Sequence, residues 1–292
     1  MYTSSPISFN ASSLGFEESD YAVFGVPYDK SSTYEANSRW SPIFTRIASM
    51  NIETYSMRTG IDLEKVALSD IGDLHVDDDI KTNLSRIEAV ISEIASANKI
   101  PVMLGGEHII TLGAIRALKE GVAVIDFDAH LDMRSSYLGN KFSHACVMRR
   151  IVEEIGPDRL LILGARAISR EEAAFAKRNK IKFVSSQEFR KRPLSEIAES
   201  VEDFISSFTD IYVTIDSDVF DPAYAPNVGN PEPEGLAPTD VFEIFPTLAQ
   251  KRIRGMDEVE ATASPHHGSG PAIELAARTM FELISQIEKN KI

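Results

Sequence analysis

The chain has 292 residues, 43% of them hydrophobic and 25% charged, a balance that fits a water-soluble globular protein with a sizeable core. Its formal charge of −14 excludes nucleic acid as the main partner, because phosphate backbones require clustered Lys and Arg. The single cysteine, Cys146, excludes an internal disulfide, no apolar run is long enough for a bilayer, and Met1-Tyr2-Thr3-Ser4-Ser5-Pro6 has no signal-peptide character, so a cytoplasmic location is expected.

Taken in order, residues 21–29 read as a buried strand ending in a Gly/Pro turn, and 31–42 as a polar loop. A helix is expected over 42–50, a short apolar strand over 66–74, and a helix over 77–98 from the spacing of Ile80, Leu84, Ile87, Val90, Ile91 and Ile94. Residues 100–104 form the next strand, broken by Gly105-Gly106, and 109–119 a helix. The strand over 121–127 leads into a loop over 133–142 and a helix over 145–155. Strands over 159–163, 181–184, 210–215 and 253–259 alternate with helices over 171–178, 194–208 and 239–251, the last with Thr239 as its cap. A final helix runs over 272–289. Such alternation implies parallel strands with helices on both faces, an α/β chain with no linker and no internal repeat, hence one domain over 1–292.

Acids gather where the strands end. In Asp126-Phe127-Asp128-Ala129-His130-Leu131-Asp132 four ionisable groups alternate with apolar ones, so in extended chain they share one face. Asp216-Ser217-Asp218 repeats the alternation on another strand, and His108 follows the Gly105-Gly106 break. Massed carboxylates repel one another and are costly to desolvate, and a divalent cation removes both penalties. Four carboxylates and two imidazoles exceed the needs of one ion and suit two, about 3.5–4 Å apart with a water between them. Mixed oxygen and nitrogen donors favour Mn²⁺ over a thiolate-type zinc. Asp126 sits deepest and reads as a supporting residue, Asp221 before Pro222 as a turn residue, and Cys146 as a small core residue.

Three signatures carry a family resemblance: Gly105-Gly106-Glu107-His108, Asp128-Ala129-His130-Leu131-Asp132, and Thr214-Ile215-Asp216-Ser217-Asp218-Val219-Phe220-Asp221-Pro222. With Gly25-Val26-Pro27-Tyr28-Asp29, Gly229-Asn230-Pro231-Glu232 and Ser269-Gly270 they span nearly the whole chain. The chain resembles the ureohydrolases, which include arginase, agmatinase, formimidoylglutamase and guanidinobutyrase. That resemblance implies a three-layer α/β/α arginase-like fold with a mainly parallel central sheet. It also implies two Mn²⁺ ions per subunit, held by His108, Asp128, His130, Asp132, Asp216 and Asp218. By position His144 matches the active-site histidine that exchanges protons, and Glu260 the carboxylate that pairs with the guanidinium. Asp128 is the expected relay to the leaving amine. A trimer or hexamer is implied as well.

The substrate implied is a small cationic guanidino compound. The stretch over 131–150 looks most like archaeal-type agmatinases, so cleavage of agmatine to putrescine and urea is expected, with arginase and formimidoylglutamase as rivals. Guanidinobutyrase, a silent metal-binding homologue and a two-metal phosphoesterase are more distant alternatives. Ser169 stands where arginases carry an acid for the substrate's α-amino group, which disfavours arginine. Arg134 is either the ligand of a substrate carboxylate or the partner of a nearby acid. Trp40 replaces a usual Phe and either shapes the entrance or packs, and His266-His267 are loop residues.

Overall fold

The computed structural model describes residues 3–4, 7–266 and 268–292; His267 lies outside the described residues. In chain order the strands are β1 (Thr3–Ser4), β2 (Tyr21–Val26), β3 (Leu68–Leu74), β4 (Ile100–Gly105), β5 (Val122–Phe127), β6 (Leu160–Ala165), β7 (Lys182–Ser185), β8 (Asp210–Asp216) and β9 (Arg252–Val259). They form one sheet in the order β1-β3-β2-β4-β9-β8-β5-β6-β7. Eight strands are parallel, and β1 joins the edge antiparallel to β3.

The inner strands β2, β5, β6 and β8 are buried along their whole length, which is why they read as continuous apolar runs. Their two faces feed two cores. Ala123, Ile125 and Phe127 of β5 pack with α1 (Ser41–Ser49), α7 (Leu194–Ser206) and α10 (Pro271–Lys289). Val122 and Val124 pack with α2 (Ile80–Ser96), α3 (Thr111–Leu118), α4 (Val147–Ile155) and α5 (Arg170–Asn179). The result is the three-layer α/β/α arrangement expected from the sequence. No helix among the described residues is long and apolar enough to cross a membrane.

The helix expected over 239–251 is two short ones, α8 (Pro238–Phe242) and α9 (Phe245–Leu248). Pro246 supplies no N–H and breaks the run. The first helix begins with Pro238, and the Asp240 side chain, not Thr239, accepts the Ala237 N–H at 2.9 Å. A further helix, α6 (Ser186–Lys191), has a Ser-x-x-Glu box in Ser185 and Glu188 that marks its start in the sequence.

One buried ion cluster ties α1 to β3. Arg46 is fully buried, with Nε 2.7 Å from Asp70 Oδ2 and Nη1 2.5 Å from Asp73 Oδ1. Asp70 also accepts the Phe9 N–H at 2.6 Å, so the same carboxylate holds the N-terminal segment. Removing Arg46 leaves that carboxylate buried and unpaired. Arg46→Ala should therefore lower the unfolding free energy by about 3 kcal/mol or more in urea titrations; a loss below about 1 kcal/mol refutes a structural role for the cluster.

Candidate functional site

Four central strands, β4, β9, β8 and β5, lie side by side and end at the same edge. In open α/β sheets that edge is where ligands bind. Each strand delivers its side chains in the turn that follows. His108 opens a turn over His108–Ile110 after β4, and Glu260 follows β9 directly. Asp216 ends β8, Asp218 lies in the turn Ser217–Val219, and Asp128 leaves β5. Close backbone approach shapes the first turn: a Cβ on Gly106 would lie 2.4 Å from Tyr28 O and 2.5 Å from Val26 O.

The ligand-type residues form two groups that share Asp128. One comprises His108, Asp128 and Asp216, and the other Asp128, His130 and Asp218; within each group the donor atoms lie within 4.8 Å of one another. His108 Nδ1 is 3.4 Å from Asp128 Oδ2, 3.2 Å from Asp216 Oδ2 and 3.5 Å from Asp132 Oδ2. His130 Nδ1 is 3.4 Å from Asp128 Oδ1 and 3.0 Å from Asp218 Oδ2. Asp132 stands outside the two compact groups yet beside the first.

A cation fits this set. His108 Nδ1 and Asp128 Oδ2 are buried without a hydrogen-bond partner. Burial and the neighbouring Asp218 and Asp128 push Asp216 well above the usual carboxylate range, and burial with Asp128 raises Asp132 to about 7. Burial works against the charge on both imidazoles, yet the carboxylates hold both well above the usual histidine range. A divalent cation would replace those protons. The His108 ring is already oriented for one. Thr214 Oγ1 gives its proton to Asp257 and accepts from His108 Nε2 at 3.1 Å, which leaves the Nδ1 lone pair facing the carboxylates. Asp126 belongs to neither group; its Oδ1 is 3.7 Å from His108 Nε2, and both its oxygens lack hydrogen-bond partners.

Glu260 adopts φ 62°, a left-handed conformation unusual for Glu. It is pinned there by Glu260 N donating to Gly106 O (3.0 Å) and Gly229 N donating to Glu260 O (3.1 Å). Oε1 accepts the His108 N–H at 2.7 Å, and a Cβ on Gly229 would meet Oε2 at 2.8 Å. Burial, reinforced by Glu107, pushes its carboxyl well above the usual range. Such a carboxylate stands ready for a cationic partner. His144 lies across the cavity, lowered to about 4 by burial and by His130.

The cavity measures about 410 Å³. Its walls carry His130, Asp132, Asp216, Asp218, His144 and Glu260, together with Arg134, Tyr137, Ser169, Glu172, Asn230 and Glu232. Arg134 stacks on Tyr137 at 4.8 Å, and its Nε lies 3.8 Å from Glu172 Oε2. Ser169 lines the wall and also caps α5, accepting from Glu172 N at 3.3 Å.

Comparison with known proteins bears on this geometry. A family model described as the arginase family matches residues 19–285. The chain belongs to the arginase family. It is a hydrolase of that family. An agmatinase of Pyrococcus horikoshii is 33% identical over 97% of the chain and 98% of its own length. An N(1)-aminopropylagmatine ureohydrolase of Thermococcus kodakarensis is 35% identical over 94% and 92%. Among solved structures, the agmatine ureohydrolase of Thermoplasma volcanium superposes with a TM-score of 0.89 at 41% identity, covering 96% of this chain and 93% of that one.

The candidate ligand, catalytic and substrate-binding residues expected from the sequence lie together, whereas Trp40, weighed as an entrance or packing residue, and the loop residue His266 lie outside. Trp40 is 38% exposed and does not line the cavity; His266 is exposed. Asp221 is the turn residue anticipated, accepting from Ala223 N and Gly235 N. Cys146 is buried, its thiol raised to about 11 by burial. Glu172, Asn230, Thr214 and Asp257 were not singled out, because each reaches the site through a partner remote in sequence, and neither was Tyr137, whose contacts are with nearby Arg134 and His144. Glu258 is another unheralded acid. It is buried, Ser217 donates to its Oε1, and Oε2 has no partner. Burial lifts it from 4.5 to about 8. A raised carboxyl contributes its stability below its unfolded value and loses it as pH rises through the folded one. Glu258→Gln should match the parent near pH 4.5 and exceed it by about 1–3 kcal/mol at pH 8.5 in urea unfolding; a difference that does not change with pH contradicts this.

Proposed function

We propose that the protein is an agmatine ureohydrolase: with water it cleaves the guanidinium of agmatine to give putrescine and urea, using two Mn²⁺ ions, the whole chain acting as one catalytic domain. The carrying observation is the buried, strained Glu260 carboxylate in the same cavity as two ligand groups that share Asp128. The relatives named agmatinase and agmatine ureohydrolase support the choice of substrate. His108, Asp128, Asp132 and Asp216 would hold one ion and Asp128, His130, Asp216 and Asp218 the other. Bound there, the pair supplies Lewis acidity and a water that ionises near neutral pH.

The chain's own residues do the rest. A guanidinium carbon is resonance-stabilised and a poor electrophile, so it must be held still and stripped of water. Glu260 pairs with the planar cation and sets its orientation. Loss of the amine requires a proton on its nitrogen; Asp128, between the two groups, is placed to relay it. His144 is neutral at pH 7 and exchanges protons between the cavity and solvent. Arg134, stacked on Tyr137 and beside Glu172, reads as the partner of an acid. The same resemblance that implies the metals implies a homo-oligomer, trimer or hexamer, which sedimentation velocity measures.

Two experiments test the reading. With Mn²⁺ added, urea release from agmatine should exceed that from arginine and guanidinobutyrate, and formamide release from formimidoylglutamate; turnover of one of these without agmatine overturns the substrate. Glu260→Gln should lower kcat/KM for agmatine by about a hundredfold or more while two ions per chain remain by elemental analysis; an unchanged rate removes Glu260 from its role.

A further inference from the structure

His144 does not stand alone. Its ring Nδ1 lies 3.1 Å from Ser31 Oγ, and its backbone N–H donates to the same oxygen at 3.0 Å. Ser31 belongs to the loop after β2, far from His144 in sequence. Behind Ser31 sits Glu107, fully buried and adjacent to His108. Glu107 Oε1 accepts the backbone N–H groups of Lys30, Ser31 and Ser32, and Oε2 accepts the Ser31 hydroxyl. Backbone N–H groups and the Ser31 and Ser32 hydroxyls thus leave both Glu107 oxygens as acceptors; burial raises its carboxyl, and the hydrogen bonds from Ser31 and Lys30 oppose that rise.

Two hydroxyls approach the ring nitrogen Nδ1, Ser31 Oγ at 3.1 Å and Ser143 Oγ at 3.4 Å, and proton counting at the nearer one favours a single tautomer. A serine hydroxyl has one proton and two lone pairs. The proton of Ser31 goes to Glu107, so toward His144 its oxygen only accepts. It accepts the backbone N–H with one lone pair and therefore takes Nδ1–H with the other. The far side of the ring agrees: Asn230 Nδ2, a donor, lies 3.5 Å from Nε2. The Tyr137 ring closes a third side at 6.0 Å and 81°.

We infer that Ser31 is a positioning residue, linked to Glu107, that holds His144 as the Nδ1–H tautomer with its basic Nε2 turned to the cavity. This rests on the reading of His144 as the proton-exchanging group, although the tautomer is a property of the ring whatever its role. The same linkage joins the two sides of the site. Glu107 anchors the loop that carries Ser31, and the next residue, His108, belongs to the ligand set. A proton acceptor and a metal ligand are thus set by one short stretch of backbone.

The test uses the full-length protein loaded with diamagnetic Mg²⁺ and ¹⁵N-histidine. The chain has six histidines, and His144→Ala identifies the signal. Ring ¹⁵N shifts should report Nδ1–H for His144 in the parent and a mixture of tautomers in Ser31→Ala. With Mn²⁺ and agmatine, Ser31→Ala should lower kcat about 10- to 100-fold with KM within about twofold, and Ser31→Thr, which restores the hydroxyl, should recover most of the rate. An Nε2–H signal in the parent, or a Ser31→Ala protein with unchanged tautomer, overturns the inference. If Ser31→Ala does not fold, the parent and Ser31→Thr spectra decide: Nδ1–H in both supports the inference, and Nε2–H in either overturns it. A His144→Ala protein that keeps full turnover defeats the parent reading alone and leaves the tautomer result standing.

Discussion

Five aspartates, Asp126, Asp128, Asp132, Asp216 and Asp218, meet two imidazoles at the buried edge of the central sheet, and their mutual repulsion is the constraint to which the surrounding structure answers. In that dry environment the like charges cannot all be carried without compensation. Among the described residues two imidazoles, His108 and His130, lie directly against these acids, so protons or cations must supply the balance. Binding a cation here is therefore part of folding free energy as well as chemistry, since an ion that prefers the folded arrangement stabilises it. This also explains why Asp126, Thr214 and Asp257 are buried beneath the ligands. Thr111 and Tyr212 donate to Asp257 as well as Thr214, so the whole chain of hydrogen bonds ends on a carboxylate with no freedom to turn.

The backbone answers the same demand. Asp132 and Glu260 both sit in the left-handed region, with φ of 49° and 62°. Such conformations cost about 1–3 kcal/mol each for residues of this kind and persist only where neighbours over-determine them. Asp132 is held by Arg149 N donating to its carbonyl at 3.1 Å, which ties it to α4. Glu260 is held between Gly106 and Gly229. Gly229 matters for space as much as for bonding, since any side chain there would meet the Glu260 carboxylate. Of the eight non-glycine residues with positive φ among the described residues, Asp132 and Glu260 belong to the candidate site, where local preference is expected to yield.

What the sequence displayed and what it hid follow from one distinction. Buried parallel strands announce themselves as unbroken apolar runs, and acids immediately after them announce a site, because nothing structural requires charge at the end of a buried strand. His108, Asp128, His130, Asp216 and Asp218 were legible for that reason. The residues that orient them were not. Ser31 reaches Glu107 across 76 positions and His144 across 113, and Thr111 reaches Asp257 across 146. A lone serine or threonine carries no periodic signal, so only the sheet order reveals such pairs. The helix over 239–251 failed for a different reason: its apolar spacing is helical, but Pro246 interrupts the hydrogen-bond ladder that spacing alone assumes.

Beyond the ligand-type residues and Glu260, the cavity wall carries further charge. Among the described residues Arg134 is the one cation there, and Glu172 and Glu232 are the two carboxylates. Glu172 already accepts Met133 N at 3.1 Å and Ser169 N at 3.0 Å and lies beside Arg134, so its charge is largely answered. Glu232 gives its backbone carbonyl to Arg166 at 2.8 Å, which fixes the loop, and the residue lines the cavity. One cation against two anions leaves this part of the wall net negative. A tail ending in an ammonium gains from that field, while a tail ending in a carboxylate must displace Arg134 from Glu172 before it can be bound. The ligand-type residues are acidic as well, so the cavity as a whole carries a negative excess that the proposed dicationic substrate would answer.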